Sequence, residues 1–276
     1  MRQRIPCVAR LTALTVAWLA GGSTAGIAAQ QTLPARPPDP WTLLRDLEYA
    51  RPAGRPLRLD LYLPTDAGPG PWPVVLWFHG QPGRKYPTPA CRLAQAGYAV
   101  ASIDYRSSRA ARFPAQILDA KAAVRWLRAN ASTHSLDPNR IAAWGESAGG
   151  YLAVLLATSV GVASLDSAEA GAPSSRIQAA VNYFGPVRRG AASLLRYVSP
   201  DDAPVLTVHG GADRTVSPGR SELLDSALRE AGVESTLEIV RGARHDFAQV
   251  HTPRVDTLVR AFLDRQLRAP TAVPHP

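Results

Sequence analysis

Between Leu57 and Pro64, leucines alternate with Arg58, Asp60 and Tyr62, a period of two that predicts an edge strand with one face on the core and one toward solvent. The stretch 72–80 breaks that alternation. Val74, Val75, Leu76, Trp77 and Phe78 run together there, as expected of a central strand covered on both faces. Similar short apolar runs predict central strands at 98–104, 141–144, 177–184, 204–209 and 236–240. Helical spacing predicts helices over 89–96, 113–129, 148–158, 218–231 and 253–267. Strands alternating with helices predict an α/β fold, a doubly wound and mostly parallel sheet with helices on both faces. In such sheets ligands sit beyond the carboxyl ends of the strands.

The two ends depart from this pattern. Arg2, Arg4 and Arg10 accompany an apolar stretch from Leu11 to Ala20 and a small-residue run to Ala29, the order of a secretory signal peptide cleaved after Ala29. The apolar stretch is short for a membrane span, so no stable span is expected after cleavage; a retained anchor is the alternative. The expected organisation is a signal peptide at 1–29, a Pro-rich extended arm at 30–45, one α/β domain at 46–268 and a flexible tail at 269–276. The mature chain of about 247 residues suffices for a single core, and its expected location is secreted or periplasmic.

The formal charge is +9, or about +6 once the leader arginines are gone. Arginine carries nearly all of it, Lys85 and Lys121 being the two lysines. The basic residues are dispersed, without an aromatic-interleaved stripe, so a solvated surface is expected and not a nucleic-acid partner. With Cys7 lost in the leader, Cys91 is alone and forms no internal disulfide; burial on the helix 89–96 is its expected role.

The chemistry centres on Gly145-Glu146-Ser147-Ala148-Gly149, which follows a predicted strand and opens a predicted helix. A serine between glycines at such a turn is pushed out of the fold, and the N–H of Ala148, in the first helical turn, is free to receive developing negative charge. A hydroxyl needs a base, and His245, in the loop after the last predicted strand, is favoured, with His251 as runner-up. His79 and His209 end central strands and read as hydrogen-bonded structural imidazoles; His134 lies in a polar loop and His275 in the tail. Asp213, in the loop after the preceding strand, is placed to orient the base. Asp246 is a lesser candidate, and Asp201 and Asp202 fall at the wrong end of the sheet. The second oxyanion donor is expected at Gln81, since Pro82 has no N–H. Gly80, Tyr105 and Phe184 are candidate pocket residues. Trp77 and Tyr183 read as core packing, and Arg106 and Arg109 as solvated surface, with an acidic substrate as their alternative contact.

Taken together, Phe78-His79-Gly80, Asp104-Tyr105-Arg106, Asp137-Pro138-Asn139-Arg140-Ile141 and Trp144-Gly145-Glu146-Ser147-Ala148-Gly149-Gly150 resemble the α/β-hydrolase superfamily. The likeness is to its carboxylesterase branch of hormone-sensitive-lipase-like and bacterial feruloyl-esterase-like proteins. The resemblance implies Ser147 as nucleophile, Asp213 as acid and His245 as base. Two departures stand out: His79-Gly80-Gln81-Pro82 replaces the usual His-Gly-Gly-Gly run, and only Val187 to Ala203 separates the Phe184 strand end from the acid strand. The second implies a reduced cap and an open cleft.

The expected activity is therefore hydrolysis of a carboxylic ester, on a small molecule or a polysaccharide-linked acetyl or feruloyl group, with no metal or organic cofactor. A prolyl-oligopeptidase-like peptidase would need propeller repeats for which the chain has no room. A non-catalytic binding protein of the same fold would be expected to lack a triad member. The sequence is silent on oligomeric state.

Overall fold

In the computed structural model, residues 41–80, 90–168, 171–188 and 190–268 are described. The expected signal peptide, most of the arm, the tail, His275, Lys85 and Gln81 lie outside them, as does the side chain of Cys91. The strands are β1 (Trp41–Ala50), β2 (Leu57–Pro64), β3 (Trp72–Phe78), β4 (Ala99–Ile103), β5 (Leu136–Glu146), β6 (Ala179–Tyr183), β7 (Val205–Gly210) and β8 (Ser235–Val240). The helices are α1 (Ala90–Gln95), α2 (Ala115–Ala129), α3 (Ala148–Thr158), α4 (Gly219–Glu230), α5 (Phe247–Val250) and α6 (Pro253–Leu267).

All strands join one eight-stranded sheet in the order β1-β2-β4-β3-β5-β6-β7-β8. The pairs β1·β2 and β2·β4 are antiparallel and the rest parallel. This α/β fold matches the doubly wound expectation, with two corrections at one edge. The edge strand is β1, not β2, and β1 begins at Trp41, inside the stretch expected to be an extended arm. With β1 outside it, β2 is mostly buried, and Asp60 and Tyr62, on its supposedly solvated face, are buried too. Asp60 Oδ1 accepts the amide of Asp46 at 2.9 Å, a contact from the neighbouring strand.

Alternation along the central strands sorts side chains into two layers. Val74, Leu76 and Phe78 of β3 pack with residues of α2, α3 and α4, whereas Val75 and Trp77 pack with residues of α1 and α6. Both layers are buried, which is why β3 reads as continuously apolar. Helix α6 starts with Pro253 at its first turn and Thr252 accepting the amide of Val255, a start signal visible in the sequence. Helix α5 has no apolar periodicity long enough to predict it; it is one turn, capped by Asp246, which accepts the amide of Gln249.

Between β6 and β7 the described residues form two short 3-10 turns, Gly190–Ala192 and Leu194–Arg196. That is a small insertion for a cap.

Candidate active site

Strand β5 ends at Glu146 and α3 begins at Ala148, so Ser147 alone makes the turn. Its backbone is at φ 51° and ψ −117°, a conformation costly for a residue with a side chain and found where a fold over-determines it. The determinants are visible. The Ser147 amide donates to the Tyr183 carbonyl at 2.8 Å, and the start of α3 lies directly on the end of β3. A Cβ on Gly145 would overlap the backbone of Gly149, and one on Gly149 would overlap the Phe78 carbonyl. The glycines are thus required by close approach, and their absence of side chains is what lets the serine project.

Loops after β7 and β8 bring the partners. His245 Nε2 lies 2.9 Å from Ser147 Oγ, and His245 Nδ1 lies 2.7 Å from Asp213 Oδ2. The carboxylate can only accept, so the proton sits on Nδ1 and leaves Nε2 to accept the serine O–H. The Asp213 side chain is fully buried while His245 keeps 18% of its side chain exposed. Burial alone would raise the Asp213 pKa; the amide of Val216, the His245 ring and the amide of Thr215 outweigh it and hold the carboxyl below its ordinary value.

Asp213 Oδ2 has a second imidazole against it, a contact the sequence did not signal. His209 Nε2 lies 3.2 Å from that oxygen and 2.9 Å from the Val216 carbonyl, while its Nδ1 lies 2.7 Å from Ser221 Oγ. Burial lowers the His209 pKa. The neutral ring therefore carries its proton on Nε2, facing two acceptors, and takes the Ser221 hydroxyl on Nδ1. The expectation of a hydrogen-bonded structural imidazole holds for His209, and its place beside Asp213 follows from residues 209 and 213 flanking one tight turn.

The other candidates separate clearly. His251 Nδ1 bonds the Tyr183 hydroxyl at 2.9 Å and its Nε2 lies 3.3 Å from Asp256, so it is committed to the fold. It stacks on Phe247, within a cluster that includes Trp77, Trp144 and Tyr183. Asp246 caps α5, and Asp202 bonds Ser199 before β7 begins. His79 is buried and stacked on Tyr105 at 5.3 Å, and His134 stacks on Trp126. Arg106 is corrected: it is a mostly buried ion-pair partner and not a solvated surface cation, because its guanidinium grips the buried Asp119 at 2.6 and 2.9 Å. Lys121 is corrected likewise, being fully buried with Nζ 2.6 Å from the Ser159 carbonyl and 3.6 Å from Asp166. Arg109 is exposed.

Of the three pocket candidates, Phe184 and Gly80 stand beside His245 and Ser147, and Tyr105 lines a neighbouring cavity. Phe184, itself at φ 43°, holds its ring 4.5 Å from that of His245. A Cβ on Gly80 would stand 3.3 Å from the Ser147 Cβ. The Tyr105 hydroxyl donates to the His79 carbonyl at 2.7 Å, and its ring lines a cavity of about 170 Å³ that reaches Ala148 and includes Phe113, Tyr151, Leu152 and Arg188. Tyr151 and Arg188 were not singled out from the sequence. Tyr151 was accessible to it, lying one helical turn after Ser147. Among the described residues no group of three or more His, Cys, Asp or Glu is placed to hold a metal, and no helix is long and apolar enough to cross a membrane.

A strand, a strained serine, a helix, and acid and base on the loops after the last two parallel strands define the α/β-hydrolase class. The family model BD-FAE matches residues 59–191. Esterase LipQ of Mycobacterium tuberculosis is 29% identical over 258 residues, 79% of this chain and 61% of LipQ. Carboxylesterase NlhH of the same organism is 38% identical over 91 residues, 31% of this chain and 28% of that protein. The chain thus spans less than two thirds of the curated relatives it matches. Among solved structures, a truncated carbohydrate esterase from gut microbiota superposes with TM-score 0.72 at 26% identity, covering 84% of this chain and 98% of that one. Thermogutta terrifontis esterase 2 phosphorylated by paraoxon gives TM-score 0.69 at 27% identity, covering 84% and 96%. The chain has the α/β-hydrolase fold, and in sequence and structure it is similar to esterases of that class.

Proposed function

We propose that this protein hydrolyses carboxylic esters through an acyl-enzyme on Ser147. The observation that carries the reading is the continuous hydrogen-bonded line from Ser147 Oγ through His245 to Asp213. His245 takes the serine proton as Oγ attacks the carbonyl and returns it to the leaving alcohol; water, activated by the same ring, then releases the acid. Asp213 fixes the Nδ1–H tautomer and stabilises the imidazolium. The N–H of Ala148, at the start of α3, receives the oxyanion, with Gln81 as the proposed second donor. The substrate class is a small-molecule or polysaccharide-linked ester, supported by the esterase relatives and by the small insertion between β6 and β7. The test is turnover of aryl esters of rising acyl length beside acetyl-sugar, feruloyl and peptide substrates. Ser147→Ala should lose about 10⁴- to 10⁶-fold in kcat with its folded state intact by circular dichroism. Retention of activity by that variant, or a peptide cleaved faster than every ester, would remove this reading.

The Arg-flanked apolar leader supports export with cleavage after Ala29. Amino-terminal sequencing of the protein from an extracytoplasmic fraction should begin at Gln30; a chain still starting at Met1 would speak for an anchor.

A further inference from the structure

The cavity beside Ala148 has a chemical bias that ester hydrolysis alone does not require. Its walls are mostly aromatic and apolar, from Tyr105, Phe113, Tyr151 and Leu152, with Ser108 and Gln116 as neutral polar groups, and its lining includes one cation, Arg188, and no acidic residue. Two other arginines on this side of the sheet, Arg106 and Arg125, are paired with Asp119 and Asp166. Arg188 has no carboxylate partner among the described residues. Its guanidinium carbon instead stands 4.7 Å from the centroid of the Tyr151 ring. That ring is fixed in turn, because Tyr151 is on α3 and its hydroxyl donates to the Ala192 carbonyl at 2.9 Å. A guanidinium resting on an aromatic face is held in place yet keeps its N–H edges available, and a planar carboxylate is the group those edges match in pairs.

We propose that this cavity is an anion-accepting subsite, in which Arg188 binds a carboxylate carried by the ester substrate while the aromatic walls take the chain or ring between that carboxylate and the scissile bond. The proposal rests on Ser147 being the nucleophile. Size agrees with a short dicarboxylic half-ester or a single-ring acid: an apolar cavity of about 150 Å³ accepts benzene, and this one measures about 170 Å³. The carboxylate can sit on the acyl or the alcohol part, and the two are separable by experiment.

Matched ester pairs supply the test. On the acyl side, 4-nitrophenyl hemiglutarate is compared with 4-nitrophenyl pentanoate; on the alcohol side, the butyrate of 4-hydroxybenzoate is compared with that of its methyl ester. The charged-to-neutral ratio of kcat/KM should fall by about 10- to 100-fold in Arg188→Ala for the side that occupies the subsite, and by less in Arg188→Lys, which keeps charge but loses the paired geometry. An unchanged ratio on both sides overturns the subsite. Calorimetric binding of benzoate to Ser147→Ala protein separates the two claims. If wild-type protein cleaves no ester yet benzoate binding weakens tenfold or more in Ser147→Ala/Arg188→Ala, the esterase reading fails and with it the subsite's role in ester binding, while carboxylate binding at Arg188 remains. If esters are cleaved and neither the ratio nor benzoate binding responds to Arg188, the subsite fails alone.

Discussion

On the α2–α3 side of the sheet, buried charge is closed off: Asp119 is gripped by Arg106, and Lys121 spends its ammonium on the Ser159 carbonyl with Asp166 nearby. At the rim of β7 and β8, buried charge is equally well bonded but the chain of bonds has an open end. Asp213 takes two backbone amides and two imidazole contacts, and the line continues through His245 to the hydroxyl of Ser147, where the histidine is partly exposed. Burial by itself therefore does not mark function. Both networks escape the cost of unpaired buried charge; only the second ends in a hydroxyl bonded to a partly exposed imidazole, the arrangement that the proposed mechanism uses.

The largest effect that should separate the two regions comes from Asp213→Asn. An amide in place of the carboxylate can present N–H to His245 Nδ1 and so favour the wrong tautomer, which should lower kcat by about 10⁴-fold, measured on an aryl ester, with the secondary structure retained. A kcat within tenfold of wild type would mean that the rim network is as passive as the other. The reverse experiment is Lys121→Met, which leaves the Ser159 carbonyl without its partner and should cost about 1–3 kcal/mol of stability in denaturant unfolding. Its kcat should stay within about twofold of wild type, since Lys121 is remote from the rim; a large loss of turnover at unchanged stability would blur the contrast. The smallest effect is in pH dependence. Burial lowers the pKa of His209 and of His251, so the folded state holds both neutral while the unfolded chain protonates them near the ordinary value of about 6.5. Their contribution to stability is complete above that value and is lost as pH falls from it toward their depressed folded values. His251→Phe should flatten the slope of unfolding free energy as pH falls below about 6.5; an unaltered slope would show that His251 titrates normally.

Much of this site was legible because the chemistry sits on short local signals. Gly145-Glu146-Ser147-Ala148-Gly149 identifies its turn through steric need, and helices α3 and α6 occur over the residues that their spacing and caps predict. Asp213 and His245 were found from loop positions after successive strands. What failed to show was pairwise and non-local. The outer strand β1 is irregular, with register shifts after Leu44 and Glu48, so no clean alternation announces it, and without it β2 looks like an edge. Arg106 and Lys121 look like solvated cations because nothing near them in sequence reveals Asp119 at thirteen residues' distance or the Ser159 carbonyl at thirty-eight.

By itself, the order of apolar runs determined a parallel α/β sheet and the end of it where chemistry belongs, since the side-chain period and the handedness of crossovers are local properties of the chain. Only the tertiary structure decided which histidine meets Ser147, that Asp213 serves two imidazoles, and that Arg188 lies over Tyr151 in the cavity that reaches Ala148. Those facts depend on distances between residues far apart along the chain, which are set by strand order, register and the packing of helices on the two faces of the sheet.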